Sequence, residues 1–195
     1  MGTDLADILS RHPVSRHRIT LEDYHRLGQA GILGEDDRIE LLDGQLVDMS
    51  PIGPRHALAV DALTRLLVMA VAGRATVRVQ NPIELDATTE PQPDIALVWQ
   101  PWRGYPDAHP QPADVFLLVE VADSSLELDR GAKLELYARA GIREFWIVDV
   151  TTNSVLVHRR PRGDGYELVT KIEPPGVLEI EDLAGVQIPA AALFV

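Results

Sequence analysis

The chain contains no cysteine among its 195 residues. A disulfide framework, a zinc site with thiolate ligands and a cysteine nucleophile are therefore excluded. The six histidines are scattered, and none shows the paired spacing of metal ligands on a helix. The sequence also lacks a phosphate-binding loop of the Walker type, a GxGxxG turn, a GxSxG elbow and an HExxH helix. These absences argue against a zinc hydrolase, a nucleotide-dependent switch and a serine esterase.

Basic residues are scarce. The chain has 18 of them against 30 acidic residues, which gives a formal net charge of -12. This charge argues against a protein that coats nucleic acid regardless of its sequence, because such proteins neutralise phosphates with Lys and Arg. Only Lys133 and Lys171 are lysines. Lysine can give up a proton in a suitable environment, whereas arginine stays charged. Each lysine is therefore a candidate for a chemical role.

Long hydrophobic runs are also missing. The longest apolar stretch, residues 57–72, is interrupted by Asp61 and Arg65, so we expect no membrane span. The start of the chain has no apolar signal-peptide segment, so we expect a cytoplasmic protein. For this length we expect a flexible polar arm at residues 1–18 and a single domain at residues 19–195.

The order of the local patterns predicts an α/β fold of the mixed α+β type, with a central mixed β-sheet flanked by helices. A strand over 114–122, a helix from 125 to about 140 and a strand over 145–150 predict a parallel crossover unit. The other predicted elements are a helix that begins at Thr20, a hairpin over 38–49 around Asp43-Gly44, a helix over 55–72, strands over 76–85 and 94–99, a capping box at Ser124–Glu127, a hairpin over 153–172 and a short strand over 177–180.

Single carboxylates interrupt strongly apolar strands. Glu120 is the only charge in residues 115–122, Asp94 precedes the apolar residues 95–99, and Glu40 lies within an apolar run. A buried carboxylate is costly unless it is paired or binds a metal, and for each one alone an ordinary ion pair is the simpler explanation. Carboxylates that converge from neighbouring strands would instead favour Mg²⁺ or Mn²⁺.

The helix that follows the Glu120 strand carries a second set of polar residues. Asp129, Lys133 and Tyr137 are spaced i, i+4 and i+8, so a regular helix would place them on one face. That face could look back to the end of the preceding strand. The alternative is a surface ion pair between Asp129 and Lys133. We interpret Asp149 and Trp146, in the next apolar strand, as structural.

An ordered set of segments resembles the Uma2 family, a bacterial group of endonucleases in the PD-(D/E)XK nuclease-like superfamily. The resemblance covers residues 19–195 and implies a restriction-endonuclease-like core with an N-terminal helix and β-hairpin. The segments are Pro93-Asp94-Ile95, Val119 to Ser125, Asp129 to Lys133, Tyr137 to Ile142 and Glu144 to Asp149, together with the hairpin at Glu40–Gly44 and the helix that begins near His56.

This resemblance implies a metal-binding and catalytic set. In the superfamily a lysine stands two residues after the metal-binding glutamate, but this chain has Ala122 there, and Lys133 on the following helix stands in the place where family members carry the lysine. The implied catalytic residues are Asp94, Glu120 and Lys133, the implied ligands of Mg²⁺ or Mn²⁺ are Asp94, Glu120, the carbonyl of Val121 and Glu40, and the implied supporting residues are Tyr137, Asp129, His56 and Gln80.

The resemblance therefore implies metal-dependent hydrolysis of phosphodiester bonds in DNA, without an organic cofactor. We expect a homodimer, because that is the default oligomer for a protein of this size, and we expect no membrane partner. Two alternatives stay open. The chain could be a non-catalytic binding or assembly protein with the same fold, which Ala122 and the acidic charge favour. It could also be a metal-dependent hydrolase of a smaller phosphate ester.

Overall fold

The computed structural model describes residues 17–34, 36–99, 104–105, 108–123 and 129–194. For Asp129 and Arg130 it describes the backbone only. The first sixteen residues of the predicted arm and the predicted capping box at Ser124–Glu127 lie outside the described residues. No helix of the described residues is both long enough and apolar enough to cross a membrane.

The described residues form helices and strands in the predicted order. The helices are α1 (Leu21–Gln29), α2 (Pro54–Val71) and α3 (Leu134–Arg139), and a π-helical turn at Asp129–Lys133 leads into α3. The strands are β1 (Ile39–Leu42), β2 (Gln45–Asp48), β3 (Thr76–Val79), β4 (Ile95–Val98), β5 (Val115–Ala122), β6 (Glu144–Asp149), β7 (Ser154–Arg162), β8 (Gly165–Ile172), β9 (Val177–Glu179) and β10 (Gln187–Pro189).

The central sheet is mixed, as predicted. Its six strands lie in the order β3-β4-β5-β6-β7-β8, and only β5 and β6 run parallel to each other. The chain that joins these two strands contains α3, which confirms the predicted crossover unit. Two small antiparallel pairs, β1–β2 and β9–β10, lie outside this sheet.

The two faces of the sheet are covered by different parts of the chain. Alternation along β5 sends Leu117, Val119 and Val121 into a core with α2, β9 and β10. Leu118 and Ala122 point to the opposite face, where they pack with α3. Because Glu120 has the same parity as these two residues, its carboxylate lies on the α3 face.

The hairpin β1–β2 closes through a two-residue turn, as the Asp43-Gly44 pair predicts. Both residues have positive φ angles, 49° and 75°, which is the conformation of a type I′ turn. A Cβ on Gly44 would lie 2.6 Å from the Cβ of Arg18, so the turn needs a glycine for space as well as for φ. Arg18 also forms an ion pair with Asp43, which holds the chain before α1 against the turn.

Two predicted elements differ from their predictions, one in length and one in the type of helix. The strand predicted over 76–85 ends at Val79, because Gln80 has a φ of 50° and turns the chain away from the sheet. Of the helix predicted from residue 125, the described residues are α-helical over Leu134–Arg139 and π-helical over Asp129–Lys133. Lys133 and Tyr137 share the predicted face, because both contact Oε1 of Glu120, whereas the side chain of Asp129 lies outside the described residues.

Asp149 and Trp146 have structural roles, as we expected. The indole Nε1 of Trp146 donates to Oε1 of Glu144 at 2.7 Å. The Oδ1 of Asp149 accepts hydrogen bonds from the amide and hydroxyl of Thr151 and from the amide of Thr152. Both residues therefore stabilise β6 and the turn that follows it.

Candidate active site

Asp94 and Glu120 are neighbours across two adjacent strands. Asp94 directly precedes β4, and Ile95 is paired with Val119, so the register places Asp94 beside Glu120 on the same face. The amide of Val121 donates to Oδ2 of Asp94 at 2.8 Å. In an extended strand the amide and carbonyl of one residue point to the same side, so the Val121 carbonyl is also directed to this edge.

Two further side chains hold Asp94 in position. Nε2 of His56, in the first turn of α2, lies 2.9 Å from Oδ2 of Asp94. The side-chain amide of Gln80 donates to Oδ1 at 3.3 Å, and the backbone amide of Gln80 donates to the Asp94 carbonyl. The positive φ of Gln80 thus allows this residue to fold over the start of β4. His56 and Gln80 therefore both contact Asp94, the predicted metal ligand.

Lys133 connects two buried carboxylates. Its Nζ lies 3.0 Å from Oε1 of Glu120 and 3.1 Å from Oε1 of Glu40. Exposure is only 4% for Lys133, 3% for Glu120 and 1% for Glu40. An unpaired buried charge is costly. In this poorly solvated site the ammonium and the two carboxylates therefore each need the opposite charge that the other supplies. Lys133 is therefore buried and does not lie on a solvated surface, as the alternative of a surface ion pair would require.

Tyr137 completes this cluster from the next turn of the helix. Its hydroxyl donates to the same Oε1 of Glu120 at 2.7 Å, and its ring packs edge-on against Phe145 with centroids 5.0 Å apart. The ring contact fixes the hydroxyl, so the orientation of the Glu120 carboxylate is set by the core of the α3 face.

Glu40 reaches the site from the hairpin. The amide of Gln92 donates to Oε1 of Glu40 at 2.6 Å, and a backbone bond from Glu90 to Leu41 attaches β1 to the same loop. Tyr24 of α1 donates its hydroxyl to the carbonyl of Ile39. Helix α1 and the β1–β2 hairpin therefore position the carboxylate of Glu40 at the edge of the sheet.

Two members of the predicted set need separate comment. Asp129 lies in the π-helical turn, and its side chain is outside the described part of the chain. Ala122, at the superfamily's lysine position, is 1% exposed and packs in the apolar cluster of the α3 face. Among the described side chains, the site ammonium comes from Lys133.

The site opens into a cavity of about 150 Å³ between the hairpin, the start of α2 and the sheet edge. Sequence reasoning missed several residues that line it, because they lie in loops or at strand ends without a local pattern, and these include the charged or amide side chains of Arg38, Asp48, Gln92 and Asp123. Arg38 is half-buried, and no carboxylate of the described residues forms an ion pair with it. The guanidinium of Arg38 thus lines the cavity without being held in an ion pair by a described carboxylate.

The donor set suits a hard divalent cation, since Asp94, Glu120, Glu40 and the Val121 carbonyl offer only oxygen atoms. Convergence of Glu40 and Glu120 on the Lys133 ammonium shows that their shared position favours a positive charge. In the arrangement of the described residues, however, no three Asp, Glu or His side chains are grouped closely enough to hold a metal ion. The oxygen donors of the site therefore fit a divalent cation. The present positions of the Glu40 and Glu120 carboxylates are set by their ion pairs with Lys133.

Comparisons with known proteins identify the family and the fold. Residues 21–191 match the family model of Uma2, described as a putative restriction endonuclease. The fold is similar to the crystal structure of a putative nuclease belonging to DUF820 from Anabaena variabilis, with a TM-score of 0.69 and 15% sequence identity over 90% of this chain and 97% of that chain. No curated protein matched. Because the family model covers most of the chain, the protein belongs to the Uma2 family of restriction-endonuclease-like nucleases.

Proposed function

We propose that the protein is a metal-dependent endonuclease that hydrolyses phosphodiester bonds of DNA. The observation that carries this proposal is the convergence of Lys133 with Glu120 and Glu40, beside Asp94, at the mouth of a cavity. Three carboxylates and an ammonium at one sheet edge match the needs of phosphodiester hydrolysis, in which an anion must be approached by a nucleophile and its charge must be neutralised.

The oxygen atoms of Asp94, Glu120, Glu40 and the Val121 carbonyl are the proposed ligands of Mg²⁺ or Mn²⁺. A divalent cation bound there would supply Lewis-acid polarisation of the phosphoryl oxygen and a more acidic water. His56 and Gln80 would keep the Asp94 carboxylate in one orientation, because both lie within hydrogen-bond distance of it. Tyr137 does the same for Glu120.

Lys133 is the proposed partner of the nucleophile. Its ammonium is held at the cluster and can orient the attacking water, or stabilise the negative charge that develops on the phosphoryl oxygens. Lys133 precedes α3 and does not lie on β5. Its ammonium still donates a hydrogen bond to Glu120, the glutamate at the position of the superfamily motif.

Arg38 is the proposed holder of the phosphate. The cavity wall carries Glu40, Asp48, Asp94, Glu120 and Asp123, and this negative field repels a phosphodiester. Arg38 lines the same cavity, and its guanidinium forms no ion pair in the described part of the chain. A planar guanidinium can donate two parallel hydrogen bonds to a phosphate, so Arg38 suits this role.

The size of the cavity is compatible with a phosphodiester that belongs to a polymeric substrate. Sites that enclose a small molecule are usually about 300 to 1,000 Å³ in volume. The cavity here, about 150 Å³, has room for one phosphate group and a few waters. A phosphodiester that is part of a strand can enter it while the bases and sugars stay outside.

The test is cleavage of supercoiled plasmid DNA by the purified protein with Mg²⁺, with Mn²⁺ and with a chelator. We expect nicking that depends on metal and falls about a hundredfold or more in Glu120→Gln and Asp94→Asn. Glu135→Gln is the matched control, because Glu135 is exposed on α3. Thermal unfolding of each variant shows whether lost activity reflects lost folding.

The same assay separates the alternatives. A folded protein that binds plasmid but leaves it intact under every metal condition would favour the non-catalytic assembly function. Hydrolysis of a nucleoside monophosphate or of p-nitrophenyl phosphate, without cleavage of DNA, would favour a hydrolase of small phosphate esters.

A further inference from the structure

We propose that Lys133 occupies the position of the divalent cation between Glu40 and Glu120, so that the metal binds only by displacing its ammonium. This inference rests on the proposed function, because it takes the same carboxylates as metal ligands. It adds a competition within the site, in which one side chain of the protein and the metal ion exclude each other from the same pair of oxygen atoms.

The distances carry the first part of the argument. Nζ of Lys133 lies 3.0 and 3.1 Å from one oxygen of each glutamate, so it stands between them. Mg²⁺ and Mn²⁺ bind carboxylate oxygens at about 2.1 Å. A metal on both oxygen atoms would therefore occupy nearly the same space as the ammonium. The absence of a metal-ready group of three acidic or histidine side chains among the described residues agrees with this arrangement.

Electrostatics carry the second part. A divalent ion and an ammonium at contact distance repel strongly in a site where Lys133, Glu40 and Glu120 are all at least 96% buried, given exposures of 4%, 1% and 3%. The ammonium must then move outward, and the direction left open is the cavity that Lys133 itself lines. Movement in that direction brings Nζ toward the place where a phosphate would enter.

The competition also explains how the site can stay folded without metal. Two buried carboxylates that face each other repel, and removal of one partner of a buried ion pair is strongly destabilising. The single positive charge of Lys133 offsets part of this repulsion in the metal-free protein. A metal ion takes over the same task when it binds, so the stability of the hairpin and sheet edge is maintained in both states.

The first test is calorimetric titration of the full chain with Mn²⁺, and separately with Mg²⁺. We expect Lys133→Gln to bind Mn²⁺ about tenfold more tightly than the unaltered protein, because the competing charge is gone. The variant should also show a lower melting temperature without metal and a larger rise on adding Mn²⁺. Lys171→Gln is the matched control, since Lys171 is exposed and paired with Glu173.

A second measurement keeps the inference testable if Lys133→Gln does not fold. The chain has only two lysines, so protein labelled with ¹³C at lysine Cε gives two signals. Titration of the unaltered protein with diamagnetic Mg²⁺ should move the Lys133 signal, with half-saturation at the calorimetric dissociation constant. The Lys171 signal should stay in place.

The outcomes distinguish this inference from the proposed function. Equal or weaker Mn²⁺ binding by Lys133→Gln, or a Lys133 signal that does not respond at saturating Mg²⁺, would overturn the competition while metal-dependent cleavage could still hold. Absence of Mn²⁺ binding in both proteins would overturn the metal site itself, and with it the proposed mechanism.

Discussion

Nζ of Lys133 lies 3.0 Å from Oε1 of Glu120, although Lys133 is the last residue of a π-helical turn and Glu120 lies within an apolar strand. The superfamily motif would place this lysine two residues after the glutamate, on the same strand. Here the strand position is a buried alanine, and the crossover helix returns the lysine to the glutamate. The contact between this lysine and this glutamate therefore depends on tertiary packing.

Tyr137→Phe should lower both stability and DNA cleavage more than Tyr166→Phe, the equivalent change in the same aromatic cluster. It removes a hydrogen bond to a buried carboxylate, which costs about 1.5 kcal/mol of unfolding free energy, and it should lower cleavage about tenfold. Chemical denaturation and plasmid nicking measure the two effects.

Tyr166→Phe is the matched control. Burial raises the pKa of the Tyr166 phenol, and its hydroxyl has no hydrogen-bond partner among the described residues. Removal of that hydroxyl should leave stability unchanged or raise it slightly. Equal losses in the two variants would contradict the assigned role of Tyr137.

Gly44→Ala should destabilise the hairpin that carries Glu40. The residue has a φ of 75°, and an added Cβ would lie 2.6 Å from the Cβ of Arg18, so we expect a loss of about 2 kcal/mol. Gly73→Ala is the control: its φ is 79° but no atom lies within 4 Å of its added Cβ, so backbone strain alone should cost about 1 kcal/mol. Denaturant midpoints would show whether the two variants differ in this order.

Arg38→Met should raise KM for DNA with little change in melting temperature. Loss of one phosphate contact should reduce kcat/KM about tenfold and lower the slope of log(kcat/KM) against log(salt) by about one. Arg65→Met is the control, since Arg65 is exposed in the middle of α2. An unchanged salt slope in Arg38→Met would show that the guanidinium does not contact a phosphate.

Asp149→Asn should lower stability in a manner that depends on pH. Burial opposes ionisation of this carboxyl, but hydrogen bonds from Thr151 and Thr152 outweigh burial and hold the pKa of Asp149 below its usual value of 3.8. The ionised group therefore contributes stability above the pKa of the unfolded chain, and that contribution is lost as pH falls through the lower pKa of the folded protein.

At pH 7 we expect Asp149→Asn to cost about 1 kcal/mol, and the difference from the unaltered protein should shrink below about pH 4. Urea denaturation at several pH values measures this difference. A gap that stays constant from pH 7 to pH 3 would contradict the role of the ionised carboxylate.

Much of the fold could be predicted because its signals are local. The Asp43-Gly44 pair indicates a type I′ turn by the positive φ that both residues must adopt. The apolar run around Glu120 indicates a strand buried on both faces, and the structure has one there. The end of β3 could not be predicted, because Gln80 leaves the strand to hydrogen-bond with Asp94, and no local pattern of Gln80 signals a positive φ.

The candidate site was predictable in its residue types and less so in its geometry. Buried carboxylates are conspicuous in apolar strands, so Asp94 and Glu120 could be singled out from the sequence. Arg38 could not, because an arginine beside a strand usually serves as a solvated surface charge. Only its place on the wall of the cavity distinguishes it.

The sequence by itself determined which chemistry is available: no thiol, two lysines and single carboxylates in otherwise apolar strands. It also determined the order of strands and helices, because turn residues and apolar periodicity act over a few residues. The tertiary structure decided that Lys133 meets Glu40 and Glu120, since these residues belong to a crossover helix, a hairpin and a sheet strand. Spacing along the chain fixes a face of one element, whereas contact between elements depends on how their apolar faces pack.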